Sequence, residues 1–384
     1  MIVRWRVPLF SRDAKGVRVR GACEGRKFIA IAWTKRSWVS HVTQSISQIL
    51  QTLLVRRELS EPQLRWIMAE MIAGRCGDVE GAAFLVALRM KGETAREIAW
   101  AAQVLRDYMI RWAPGRDDVL DTCGTGGDGS GTFNISTATA LVVAGAGVPV
   151  VKHGNRSVSS RTGSADVLAA LGVKIDGDAD FARHCLQQAN FAFCFAPQFH
   201  PALKHVAALR DKLGVATIFN CLGPLANPAG AQRQLLGVGR AELLDVMAGA
   251  LAQLGTVHAF VLCSRAGLDE VSLSGPTMVR EVRGGDVVGR EWTPADFGLE
   301  SCTLAELFAP QRQASADMIR EVLAGVQGPA LRVVLANAAA ALLAAERVKT
   351  LSDGVELARQ AIVTGRARQV LETLQKLSAQ PADS

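Results

Sequence analysis

The run Asp121-Thr122-Cys123-Gly124-Thr125-Gly126-Gly127-Asp128-Gly129 constrains this chain more than any other stretch. Val119 and Leu120 read as the end of a strand, and the alanine-rich run Ala138 to Ala146 reads as a helix. A glycine-rich loop joining strand to helix start presents unpaired backbone N–H groups and the positive end of the helix dipole, which together suit a phosphate. The spacing is neither that of a nucleotide-binding P-loop, which needs a lysine near its end, nor that of the dinucleotide fingerprint, whose glycines open the helix directly. Glycine alone marks plain surface turns just as readily, so this loop counts as a site only in company.

That company follows along the chain. Val148 to Val151 reads as a short strand, and Lys152 to Ser164 after it gathers Lys152, His153, Asn155, Arg156 and several serines into a second anion-binding face. Open α/β sheets place ligands at this end of their strands. The strand Phe191 to Phe195 again ends in polar groups, at Ala196 to Ala202. Helix Leu203 to Leu213 then carries Arg210, whose planar fork suits a carboxylate, although a solvated basic face is an equal reading. Thr217 to Pro228 reads as a stiff, proline-marked loop that lets a ligand approach the Gly223 backbone. Asp269-Glu270 follows a central strand, Ala259 to Cys263. In a turn both carboxylates reach one or two Mg2+ ions that also hold ligand phosphates.

With 384 residues the chain is long enough for two domains, and its 49% hydrophobic and 21% charged composition is that of a soluble globular protein without a transmembrane segment. The net charge of +7 is concentrated at the start, where Met1 to Arg36 holds ten Lys or Arg against Asp13 and Glu24. The remainder is close to neutral and offers no polyanion groove, so no specific nucleic acid partner is expected. Residues 1–42 read as a basic, disordered extension: a targeting arm, a partner-binding tail or an upstream stretch outside the true reading frame. Eight scattered cysteines without zinc spacing imply thiols in a reducing cytosol, and a cytoplasmic location.

Residues 43–113 read as a small helical domain, completed by helices from about 200–215. Ser60-Glu61-Pro62-Gln63 and Thr94-Ala95-Arg96-Glu97 are capping boxes, and the apolar residues recur with helical spacing. A bundle this small is marginal alone and needs another surface to pack on. From residue 117 to 378 the rhythm is strand, loop, helix, which gives a large, mainly parallel α/β domain with helices on both faces.

Taken together, Asp121 to Asp128, Asn134 to Thr137, Lys152 to Ser164, Ala196 to Ala202, Thr217 to Pro228 and Gly267 to Glu270 resemble the anthranilate phosphoribosyltransferase family, over most of the chain from Ile46 to Gln375. The resemblance implies a nucleoside phosphorylase/phosphoribosyltransferase-like fold and Mg2+-dependent transfer of phosphoribose from 5-phosphoribosyl-1-pyrophosphate (PRPP) to the amine of anthranilate in tryptophan biosynthesis. It also implies a homodimer formed through the helical domains. It assigns Gly124, Thr125, Gly126, Gly127 and Asp128, with Asn134, Ser136 and Thr137, to pyrophosphate and ribose. Ser136, Asp269 and Glu270 would meet metal. Lys152, Asn155, Arg156 and Ser160 belong to the second loop, with His153 near the acceptor. Asn155, His200 and Arg210 would pass or hold anthranilate, and Gly223 would line its pocket. Gln198-Phe199 departs from the more polar pair of many relatives, which bears on the outer acceptor site. Two other readings remain open: a pyrimidine-nucleoside phosphorylase-like enzyme, and a noncatalytic nucleic-acid-binding relative.

Overall fold

The computed structural model describes residues 45–156 and 163–379, so the expectations for residues 1–42 and for Ser160 lie outside the described residues. The described residues begin with four helices, α1 (Ile46–Leu54), α2 (Glu61–Ile72), α3 (Asp78–Lys91) and α4 (Ala95–Tyr108). Their starts are fixed by short-range chemistry. Ser45 Oγ accepts the Gln48 N–H at 3.2 Å, and Gln63 accepts the Ser60 N–H at 3.0 Å. At α4, Thr94 Oγ1 accepts the Glu97 N–H at 3.2 Å, and the Glu97 carboxylate returns the bond to the Thr94 N–H at 2.9 Å. Glu97 is fully buried, and it also accepts from the Leu59 N–H at 3.1 Å and from Lys91 at 2.7 Å. One capping residue thus ties three parts of the helical segment together.

The rest of the chain is built on a seven-stranded sheet: β1 (Leu120–Gly124), β2 (Val150–Gly154), β3 (Phe191–Phe195), β4 (Arg233–Gly237), β5 (His258–Ser264), β6 (Thr277–Arg283) and β7 (Asp286–Trp292). The spatial order is β3-β2-β1-β4-β5-β6-β7, with the first five strands parallel and the last two an antiparallel hairpin at one edge. Between them run α5 (Ile135–Gly145), α6 (Ser164–Ala170), α7 (Ala179–Ala189), α8 (Ala196–Phe199), α9 (Lys204–Leu213), α10 (Ile218–Leu222) and α11 (Leu243–Gln253). After the hairpin come α12 (Arg312–Leu323), α13 (Pro329–Ala344), α14 (Leu351–Val363) and α15 (Arg366–Ala379). Among the described residues no helix is long and apolar enough to cross a membrane.

Two cores sandwich the sheet. On one face the small residues of α5 and α13 pack with Phe260, Leu262 and the C-terminal helices. On the other, Leu236, Val261 and Met247 of α11 join Val206 and Leu209 of α9 in one continuous core. Ile67, Met68, Ile98 and Leu105 of the helical segment belong to it as well. The helical segment therefore finds the partner surface that its size demands in α11 and the sheet.

Several local expectations shift. β2 extends to Gly154, so Lys152 and His153 are strand residues paired in register with Phe193 and Cys194 of β3, not loop residues. The stretch Thr217 to Pro228 is not an open loop. It contains α10 and a 3₁₀ turn, Gly223–Leu225, because Asn220 Oδ1 accepts the Thr217 N–H at 3.0 Å and closes a helical start. Ser164 is the first residue of α6 and Gly163 its cap, with Asp166 accepting the Gly163 N–H at 3.1 Å. Phe199 is buried with Trp112, Val151 and Cys194 in a third small core, so its apolar side chain serves packing and leaves the acceptor side untouched.

Candidate active site

The chain winds outward from β1 to β3, then returns to lay β4 and β5 on the other side of β1. An open sheet leaves a crevice where the winding reverses, at the carboxyl ends of the strands. Here a cleft of about 340 Å³ opens there, between the sheet and the helical segment. It is lined by Gly124, Thr125, Gly126, Gly127, Asp128, Asn134 and Ser136, and by Lys152, His153, Asn155 and Arg156. His200, Arg210, Gly223, Asp269 and Glu270 complete the set of sequence-assigned residues that meet in it.

The glycine loop is anchored by Thr125, whose N–H donates to Gly237 O at 2.9 Å. Gly126 and Gly127 follow with φ of +65° and +79°, a left-handed path that side chains resist, with open space where a Cβ would stand, and the Gly126 N–H bonds the Asp269 carboxylate. At the start of α5, Asn134 Oδ1 accepts the Thr137 N–H at 3.2 Å and the Thr137 hydroxyl as well. Thr137 is thereby buried beneath the loop and does not line the cleft, while Ser136 does. The Asn134 N–H donates to the buried Ser315 Oγ at 2.8 Å, which fixes the loop to α12.

Beneath the loop lies a buried polar layer. Lys152 Nζ donates to Thr122 O at 2.5 Å and Ser136 Oγ at 3.0 Å. Burial pulls its pKa down against the opposing pull of Asp121, Cys123 and the two site carboxylates. Asp121, pushed up to about 6 by burial, accepts the His153 N–H at 3.3 Å and Asn227 Nδ2 at 2.8 Å. Asn227 also donates to Val151 O at 2.8 Å, locking β1 to β2 at the site.

Asp269 and Glu270 follow β5 and fold back over the end of β4. Burial, then the neighbouring Asp128, pushes the Asp269 carboxyl up to about 7; burial and Asp269 hold Glu270 well above the carboxylate range. Carboxylates crowded in this way call for a cation. Among the described residues no three His, Cys, Asp or Glu side chains enclose a metal by themselves. That suits Mg2+, which takes one or two carboxylates and completes its shell with water and phosphate oxygens. Ser136, Asp269 and Glu270 are hard oxygen donors of the right kind.

The other end of the cleft differs in character. His153 Nδ1 faces Gly223 O at 3.0 Å and His200 Nε2 faces Ala226 O at 3.1 Å. A carbonyl only accepts, so those nitrogens carry the protons. His153 Nε2 and His200 Nδ1 are buried without partners, as lone-pair acceptors. Burial, with the neighbouring ring 4.9 Å away as a further cause for His153, lowers His153 to about 3; burial lowers His200 to about 4, so both rings are neutral. Arg210 lies over the Phe219 ring at 5.8 Å. Arg156 pairs with Asp166 at 3.0 Å on the outer rim, beside Asn155.

Sequence reasoning missed Leu105 of α4, which lines the cleft from above, and Asn220 and Phe219 of α10. Leu105 sits on a helical apolar stripe like any core residue, so its spacing carries no sign of a ligand. Gly237 was also missed. A Cβ built there would lie 1.5 Å from Asp269 O, so the backbone crossing that positions Asp269 and Glu270 requires a glycine.

A glycine-rich loop at a helix start, crowded carboxylates and a helical segment over one cleft are the parts of an enzyme that handles a phosphorylated substrate. Residues 116–368 match the a/b domain of a glycosyl transferase family, and residues 47–109 match the helical bundle domain. An anthranilate phosphoribosyltransferase of Anaeromyxobacter dehalogenans is 49% identical over 337 residues, covering 88% of this chain and all of that protein. The crystal structure of the Thermus thermophilus anthranilate phosphoribosyltransferase superposes with a TM-score of 0.81 at 39% identity, over 86% of this chain and 99% of that one. The Saccharomyces cerevisiae enzyme in complex with PRPP and Mg superposes with a TM-score of 0.80 at 28% identity, over 87% and 98%. The chain belongs to the anthranilate phosphoribosyltransferase family.

Proposed function

We propose that this cleft transfers phosphoribose from PRPP to the amine of anthranilate, releasing pyrophosphate for tryptophan biosynthesis, with Mg2+ as cofactor. The observation that carries this reading is the chemical asymmetry of the cleft. One end offers a glycine-rich loop, a helix start and crowded carboxylates; the other offers Arg210 and two neutral imidazoles with orphan acceptor nitrogens.

Gly124 to Asp128, Asn134 and Ser136 hold the diphosphate and ribose, and Lys152 keeps Ser136 and the end of β1 in place. Ser136, Asp269 and Glu270 would hold Mg2+, which would supply positive charge against the departing diphosphate. Arg210 takes the acceptor's carboxylate, and His153 and His200 accept hydrogen bonds from its amine. With pKa values of about 3 and 4 the rings orient that nitrogen and do not store its proton. An aryl amine is already a neutral nucleophile. The C–N bond forms as the anomeric C–O bond breaks, and the resulting ammonium is acidic enough to lose its proton to solvent. Catalysis is therefore mainly positioning and electrostatics. Asn155 and Arg156 border the acceptor entrance in this reading. The helical segment and the α/β body act as two domains, and the exposed apolar residues Leu54, Val79 and Met90 of the helical segment form a homodimer contact.

The test supplies the full chain with PRPP and anthranilate, with and without Mg2+, and follows anthranilate fluorescence and pyrophosphate release. Both signals should require Mg2+, and Asp269→Asn should lower kcat/KM at least 100-fold with the melting temperature retained. Metal-independent turnover, or nucleoside cleavage by phosphate in its place, would overturn the reading. Light scattering of Met90→Asp tests the dimer, which should fall to monomer.

A further inference from the structure

A second cavity lies at the opposite end of the sheet. It measures about 540 Å³ and is framed by the first residues of β5, the hairpin β6–β7 and the turn between α13 and α14. β5 meets this cavity through His258 and Phe260 and runs on toward the cleft at Ser264. None of the residues given roles in transfer lines it.

Its walls are of two kinds. Phe260 and Trp292 meet edge to face at 4.9 Å, and Leu343, Val348 and Leu351 extend that apolar surface. The rest is charged. Arg290 grips Glu281 at 2.5 Å, His258 Nε2 faces the same carboxylate at 3.1 Å, and Arg283 and Arg233 share Glu346 at 2.6 and 2.9 Å. Two carboxylates thus serve three arginines, and Lys349 on the rim has no ion-pair partner among the described residues. Of the residues that line the cavity, Arg283, Arg290 and Lys349 stand against Glu281 and Glu346, which leaves one positive charge in excess.

Two details show that the arrangement is built. Glu346 ends α13 with φ of +56°, in the position where a helix stop normally has glycine or asparagine. A glutamate there costs backbone strain and holds Arg283 at the cavity wall, with Arg233 on its other oxygen. His258, 3% exposed, also keeps Nδ1 buried and unpartnered. In addition, α14 begins at the cavity with Thr350 as its cap, adding the positive end of a 13-residue helix to the same side.

We propose that this cavity is a binding site, distinct from the catalytic cleft, for a small organic anion with an aromatic or bulky apolar body. The apolar body would lie against Trp292, Val348 and Leu351, and a carboxylate would face Lys349, Arg283 and the start of α14. The volume falls in the range of small-molecule pockets.

The test titrates 1-naphthoate into the full chain labelled with 5-fluorotryptophan and follows the Trp292 resonance by fluorine NMR, assigned by its loss in Trp292→Phe. The resonance should shift saturably, and equally in Arg210→Ala, whose acceptor site is disabled. Lys349→Glu, at an exposed position with no partner to lose, should weaken the titration at least tenfold, as should replacing the probe by neutral 1-naphthamide. An unmoved Trp292 resonance at millimolar probe, equal affinity in Lys349→Glu, or loss of the shift in Arg210→Ala would each overturn the proposal.

Discussion

Gly237→Ala tests how the metal carboxylates are positioned. The added Cβ would lie 1.5 Å from the Asp269 backbone oxygen and 3.1 Å from Asp269 Cβ, whereas real Cβ atoms essentially never come within 3.0 Å of a neighbour. The end of β4 and the Asp269 loop must therefore separate by about 1.5 Å, and neither is a flexible side-chain tip. Overpacking of this kind costs about 1–3 kcal/mol of stability. The catalytic effect should be larger, because a misplacement of about 1 Å costs roughly 100-fold in rate. The expected outcome is a fall in kcat/KM of about 100-fold or more, with a raised Mg2+ requirement, measured by pyrophosphate release across a Mg2+ titration. Gly124→Ala provides the contrast. Its Cβ meets the Asp269 carboxylate at 2.6 Å, a side-chain atom and not backbone, so its loss should be smaller. If Gly237→Ala kept kcat/KM within threefold, or if Gly124→Ala were the more damaging, the account of the backbone crossing would be wrong.

Three further outcomes follow from the geometry. Arg210→Lys exchanges a planar fork over Phe219 for a point charge and should raise the KM for anthranilate about 10-fold while leaving that for PRPP unchanged, as steady-state kinetics with each substrate varied will show. His153 and His200 are held neutral at about 3 and 4 when folded but take up protons near 6.5 when unfolded; the unfolded chain therefore binds more protons in that window, and stability is lost as pH falls from about 6.5 to 4. Urea unfolding should show a slope of roughly 1.4 kcal/mol per pH unit for each ring, flattened in the His153→Gln, His200→Gln double variant. Glu97→Ala strips the partner from buried Lys91 and from the Leu59 and Thr94 amides, so it should cost about 3–5 kcal/mol, seen calorimetrically as a melting temperature lower by about 10 °C.

Much of the catalytic cleft was legible because its residues are chemically unusual where they stand. A glycine run between a strand and a helix, Lys152 and His153 at a strand end, and adjacent Asp269 and Glu270 each conflict with ordinary packing, and the structure gathers them at the winding reversal. The capping boxes at Ser60 and Thr94 were legible for a related reason, since side chain and backbone meet within four residues. What escaped depends on distance along the chain. Lys152 and His153 looked like loop residues because the polar side chains hid the pairing with β3 that makes them strand. Gly237 looked like any strand glycine, because its constraint comes from a backbone 32 positions later. Thr137 carries the same polar group as Ser136, and only the turn of α5 decides that one is buried and the other faces the cleft.

The continuous core beneath the helical segment limits how this enzyme can be re-engineered. Leu105 overlooks the reacting groups from α4, yet α4 rests on α11, and Arg106 beside it donates to Leu225 O at 2.7 Å. A cap transplanted from a relative would arrive without the surface that its apolar stripe was shaped to fit. Recombination between homologues should therefore succeed only when residues 45–108 and 204–253 travel as one block, however far apart they lie in the gene.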